Sequence, residues 1–436
     1  MSLRSGAGLA ARVNSTVWRR HPICEKRAGR CQGPVRLGAE GAQLVQRRFI
    51  LDMSAASEVT TDATFRYRSF LWRTSAGDRH PYEYIVAQQP AGGATARDAL
   101  TALEEHLPRP ASGWTVVLIP SVSLVCSGKE EMRPLALLLS QRGHRCYILE
   151  WPGWTQDVQT NWALEHCKAE HMADEYQDFW CQALEHVAEQ ELQSQADSDP
   201  ESSEGNKTPQ LCVVAASSAA LYALRALEAI STWEPQGDTI KALGLYKSLA
   251  MLAPSWKSAP PTSWSWSRLK PDQAAYWMGA FLHSDTRLGR IYRRSHFSSR
   301  NLRRSFLHAG APDEERLFQL ASWFFQRPRP YAQTDAMVSN GFLDPKVENV
   351  KVLAAEIKAQ LSRLRVLIMV PESEPGAPRG EAMTLWETLK EDSADDQGVL
   401  DHCLLPSTSP LPHELATSAV QFAVDQWLQN ARGTNP

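Results

Sequence analysis

Ser217 stands between a short apolar run, Leu211-Cys-Val-Val214, and a helical pattern over residues 221–230, with only small residues from Ala215 to Ala220 around it. A strand that turns sharply into a helix lifts a serine hydroxyl clear of a sheet, and small flanking residues let the turn close. To attack an acyl carbon the hydroxyl needs a base, and the base needs an orienting acid. His413, in Pro412-His-Glu414, is the candidate base. The apolar run at 365–370 is followed by Pro371-Glu-Ser-Glu374, which supplies the acid. Glu372 directly follows that run and is preferred; Glu374 is the other candidate. Either carboxylate would fix the imidazole tautomer and stabilise the imidazolium. Charge on the substrate oxygen calls for backbone N–H donors, expected from Ser218 and from Ser121, since Pro120 has no N–H. The pattern predicts nucleophilic acyl transfer.

Plainer readings exist for the same residues. Ala-x-Ser-x-Ala also starts ordinary helices, with Ser217 or Ser218 as an N-cap. His413 also fits a solvated position at a helix start, and Glu374 a surface carboxylate. His166, Glu170 and His171 share a helical stretch without a third ligand, so no metal is expected. Asp344 before Pro345 reads as an N-cap. The eight cysteines form no CxxC pair, which supports neither a zinc site nor a disulfide framework, and no cofactor is expected.

The elements that must position these groups follow from hydrophobic period. Two aromatic and β-branched runs, 65–72 and 81–86, flank Ser75-Ala-Gly-Asp78 and read as an antiparallel hairpin. Strand 114–119, helix 130–141 closed by Gly143, and strand 145–149 form a parallel unit. A helical pattern over 162–193 leads into a polar, acidic linker. Strands at 211–214, 247–252, 365–370 and 400–405 alternate with helices at 221–230, 345–361 and 414–428, which gives a mostly parallel, doubly wound sheet. Between them, tryptophans Trp256, Trp264, Trp266 and Trp277 and a run of arginines from Arg287 to Arg304 read as an inserted helical lid. The expected parts are a leader over 1–53, core over 60–254 with the linker at 195–210, cap over 255–335, and core again over 336–430.

Three patches carry a resemblance. Leu118-Ile-Pro-Ser-Val-Ser-Leu-Val-Cys-Ser127 with Glu131-Met-Arg-Pro134 and Leu149-Glu-Trp-Pro-Gly-Trp154 is the first; Leu252-Ala-Pro-Ser-Trp256 and Gly341-Phe-Leu-Asp-Pro345 are the others. Together they resemble the α/β-hydrolase-like proteins of cyanobacteria and plastids, in which a D-W-P-G-F-G pattern is usual. The resemblance implies the α/β-hydrolase fold with a helical cap, and the order serine, acid, histidine along this chain is that of the superfamily. This chain departs from the pattern at Glu150 for Asp, Thr155 for Gly, and Ala215 and Ala219 for the two glycines of the serine turn.

The first fifty residues hold nine Arg and one Lys against Glu25 and Glu40, a net +8, whereas the remainder carries −11 within the overall −3. With its Ser, Gly and Ala and no long apolar core, this stretch has the composition of a transit peptide, for plastid or alternatively mitochondrion. The acidic body argues against nucleic acid, and no apolar run reaches the length of a membrane span. The expectation is a plastid serine hydrolase acting on an ester or similar bond of a small apolar substrate. The competing expectation is a catalytically silent protein of the same fold that binds an apolar ligand or a protein partner.

Overall fold

The computed structural model describes residues 64–88, 113–121, 128–152, 172–196, 210–232, 245–255, 350–371, 381–391, 399–405 and 417–433. All of them belong to the unit Asp62–Pro436. The expected leader, most of the cap, Asp344, Glu372, Glu374 and His413 lie outside the described residues.

The opening hairpin pairs β1 (Thr64–Arg73) with β2 (Arg79–Gln88) over ten residue pairs. Its turn is closed by Gly77 at φ 88°, a left-handed conformation that glycine adopts without a steric penalty. Six parallel strands follow: β3 (Thr115–Ile119), β4 (Arg145–Ile148), β5 (Leu211–Ala216), β6 (Tyr246–Leu252), β7 (Arg365–Pro371) and β8 (Leu400–Leu405). The spatial order is β1-β2-β4-β3-β5-β6-β7-β8, with β1–β2 and β2–β4 antiparallel and every other pair parallel. This is the α/β-hydrolase sheet that the resemblance implied.

Helices cover both faces: α1 (Lys129–Gln141), α2 (Met172–Ala196), α3 (Ala219–Thr232), α4 (Val350–Gln360), α5 (Glu381–Glu391) and α6 (Thr417–Gly433). Strand side chains alternate between two cores, as the period of two requires. Val117, Ile119, Val213 and Ala215 pack with α2 to α5, while Val116, Leu118, Cys212 and Val214 pack with α1 and α6. Helix α2 continues to Ala196, past the expected stop at Gln193. Helix α5, which no sequence signal marked, buries Ala382, Leu385 and Leu389.

His186 on α2 is held against the hairpin, stacked on Phe70 with centroids 4.9 Å apart and with the Tyr84 hydroxyl 3.2 Å from Nε2. Burial, and next the charge of Arg68, push its pKa from the ordinary 6.5 down to about 4. The unfolded chain therefore takes up this proton at a higher pH than the folded one. The associated stability is complete above pH 6.5 and is lost as pH falls to about 4. Allowing for partial solvent screening, the loss amounts to about 1–2 kcal/mol. Urea midpoints should fall between pH 7 and pH 5, and His186→Phe should flatten that dependence; an unchanged slope in the variant would assign it to other groups.

Candidate active site

Strands β3 and β5 are neighbours, yet the chain leaves β3 toward β4 on one side and β5 toward β6 on the other. A crevice opens at the carboxyl ends of strands where the direction of winding reverses. Ser217 follows β5 at this point, and Pro120-Ser121 follows β3.

From 211 to 220 every residue is buried except Ser217 and Ser218, which are partly exposed. Ser217 has φ 56°, in the left-handed region that non-glycine residues rarely occupy. Its N–H donates to the Leu252 carbonyl at the end of β6 (2.8 Å), and its own carbonyl accepts from Ala220 N–H (3.2 Å) as α3 begins. Ala253, at the end of β6, repeats the conformation at φ 44° and donates to Met369 O (2.9 Å). Ala215 and Ala219 are completely buried and have ordinary negative φ. The turn therefore needs small side chains at those two positions, not glycine backbones, and alanine satisfies it.

Ser121 is buried, and its N–H donates to Oε1 of Glu131 (2.8 Å), itself fully buried on α1. The N–H expected to donate to a substrate oxygen thus has a carboxylate acceptor within the protein. The preceding carbonyl, Pro120 O, accepts from Trp151 Nε1 (2.9 Å). Next to Trp151, the Glu150 carboxylate accepts from the backbone N–H of Lys129 (3.0 Å) at the start of α1, where Gly128 offers no side-chain cap. An anion here meets the positive end of the helix dipole. The Lys129 ammonium lies 3.2 Å from Glu150 and 3.0 Å from Glu83. Burial raises the Glu150 pKa, opposed chiefly by Lys129; burial lowers that of Lys129, but Glu150 and Glu83 outweigh it and the net shift is upward.

The described thiols do not compete as nucleophiles: burial pushes Cys146 and Cys212 far up, and Cys181 to about 11. His144 pairs with Asp425 at 3.0 Å, but it precedes β4 and so lies at the opposite end of the sheet from Ser217. One carboxylate was missed in the sequence. Glu381, 5% exposed at the start of α5, accepts from Ser255 Oγ (2.9 Å) just beyond β6. Its helix buries the single row Ala382, Leu385 and Leu389, too short a pattern to mark it in the sequence. Among the described residues no group of three side chains is arranged to hold a metal ion, and no helix is long and apolar enough to cross a membrane.

No protein-family model and no curated protein sequence matches the chain. Among solved structures it is similar to a bromoperoxidase from Bacillus anthracis, at TM-score 0.46 and 13% identity over 83% of this chain and 100% of that one. A proline iminopeptidase from Mycobacterium smegmatis gives 0.45 and 13%, over 84% and 100%. An esterase from Pyrococcus furiosus gives 0.38 and 12%, over 84% and 91%. Similarity of this degree carries no argument about activity.

Proposed function

We propose that this protein of the α/β-hydrolase fold is a serine hydrolase that cleaves an ester or related acyl bond of a small apolar substrate. The observation that supports it most is the left-handed backbone of Ser217 at the strand-to-helix turn, a strain of the kind that clusters at active sites. In this reading Ser217 Oγ attacks the acyl carbon as His413 takes its proton, with Glu372 or Glu374 orienting the imidazole. His413 then returns the proton to the departing alcohol, and water, activated by the same base, releases the acid. The Ser218 N–H faces the developing oxyanion. The tryptophans at 256–277 support an apolar substrate, and the basic composition of 1–53 supports plastid import, to be checked by sequencing the mature N-terminus.

A second reading, a silent binding protein of the same fold, is favoured by the Ser121 N–H, whose bond to Glu131 leaves the oxyanion site short of an expected donor. A fluorophosphonate probe separates the two. Labelling of the wild type that disappears in Ser217→Ala is expected for the hydrolase; an unlabelled wild type favours the binding protein.

A further inference from the structure

Pro120 O and Ser121 N–H are the two ends of one peptide group, and two fully buried side chains hold them: Trp151 Nε1 donates to the carbonyl at 2.9 Å, and Glu131 Oε1 accepts from the N–H at 2.8 Å. From this geometry we infer that Glu131 and Trp151 are positioning residues that clamp the Pro120–Ser121 peptide beside the Ser217 turn. The inference rests on the hydrolase reading for its effect on chemistry, though not for the existence of the clamp.

Each arm of the clamp is itself fixed. The Trp151 indole is wedged edge-on against Tyr176, Trp180 and Tyr222, with centroids 5.0–5.2 Å away. Tyr222 belongs to α3, the helix that Ser217 introduces, so the ring that holds the peptide after β3 also packs on the element that carries the serine turn. Glu131 stands on α1, whose first N–H is held by Glu150, the residue before Trp151. The pair Glu150-Trp151 thus holds one end of the peptide directly and the other through α1.

A peptide gripped at both ends cannot rotate its N–H toward substrate without breaking two buried hydrogen bonds, each costly to leave unmade. The clamp therefore fixes the crevice wall beside the Ser217 turn, and its loss should let that wall move and slow the chemical step more than reversible binding. Faster inactivation in Glu131→Leu would show instead that the freed Ser121 N–H serves as an oxyanion donor and would overturn the positioning role. The variants are Glu131→Gln, which keeps an acceptor, Glu131→Leu, which removes it, and Trp151→Phe, which removes the donor but keeps the ring packing. Two readouts apply to the full chain: hydrogen exchange of the Ser121 amide, and fluorophosphonate kinetics resolved into reversible affinity and inactivation rate. In both Glu131→Leu and Trp151→Phe the Ser121 amide should exchange about tenfold faster and inactivation should run about tenfold slower than in wild type, the size of one net hydrogen bond, with affinity unchanged. Glu131→Gln should restore both. Wild-type exchange and inactivation in Trp151→Phe and Glu131→Leu would overturn the clamp. If Glu131→Leu does not fold, Trp151→Phe and Glu131→Gln decide. If wild type is not labelled, the hydrolase reading fails, and Ser121 exchange alone decides the clamp.

Discussion

Ser217→Gly is expected to abolish ester turnover and at the same time to stabilise the protein. The two effects have separate origins at one residue. In the proposed hydrolase, removing the hydroxyl removes the proposed nucleophile, and loss of a triad serine lowers kcat by about 10⁴-fold or more. The backbone at φ 56° disfavours any residue with a Cβ by roughly 1–2 kcal/mol, a cost that glycine avoids. Glycine loses more conformational entropy on folding, roughly 0.5–1 kcal/mol, so the net gain is about 1 kcal/mol. Ser217→Ala provides the control, since it loses the hydroxyl but keeps the Cβ: turnover should vanish with stability near wild type. Thermal unfolding and turnover of an aryl ester measure both. Residual turnover in either variant would remove Ser217 from the chemistry, and a less stable glycine variant would show that the turn is not strained.

Strands β5 to β7 were legible because they are buried on both faces and bounded by turn residues, while the edge strand β8, with His402 and Leu404 exposed, left a weaker apolar run. The ranges 211–214, 247–252, 365–370 and 400–405 recur within two residues of β5 to β8. Gly143 was legible as a stop, and it takes φ 85° after α1. Helix α5 was not, because its fully buried row is only three residues long, Ala382, Leu385 and Leu389, and no Ser, Thr, Asp or Asn directly precedes it as a cap. For the site, the left-handed φ of Ser217 and the ordinary φ of Ala215 and Ala219 come only from the structure, while sequence located the Ser217 turn and its small flanking residues. It also directed the Ser121 N–H into the crevice, because the docking of Glu131 depends on where α1 lies against the sheet. Chain order places the candidate acids Glu372 and Glu374 after β7 and the candidate base His413 after β8, outside the described residues. Tertiary partners, unlike local period, leave no regular trace in spacing.

The opposite end of the same strands carries the largest expected effect on stability. Arg145, at the start of β4, is 2% exposed, and its Nη1 lies 2.8 Å from Oε1 of Glu191, 1% exposed near the end of α2. Glu191 also accepts from the Tyr147 hydroxyl (2.7 Å) and from Thr115 Oγ1 at the start of β3 (2.9 Å), while Arg145 Nε donates to Gln88 Oε1 (3.1 Å). Burial alone would lower the Arg145 pKa, but Glu191 and then Tyr147 outweigh it and raise it, so the guanidinium is held charged. Arg145→Met leaves the Glu191 carboxylate buried opposite an apolar chain and should cost about 3–5 kcal/mol. Pairing it with Glu191→Leu removes the stranded charge and should recover most of that loss, because a buried ion pair contributes little beyond what well-packed apolar groups provide. Urea unfolding of wild type, both single variants and the double variant closes the cycle. Turnover per folded molecule should stay at the wild-type level, since Ser217 and the Pro120–Ser121 peptide lie at the other ends of the strands. A single-variant loss under about 1 kcal/mol would show that water or a neighbouring group reaches the stranded charge. A double variant weaker than either single one would mean that the hydrogen bonds to Gln88, Thr115 and Tyr147, not the charges, hold α2 to the sheet.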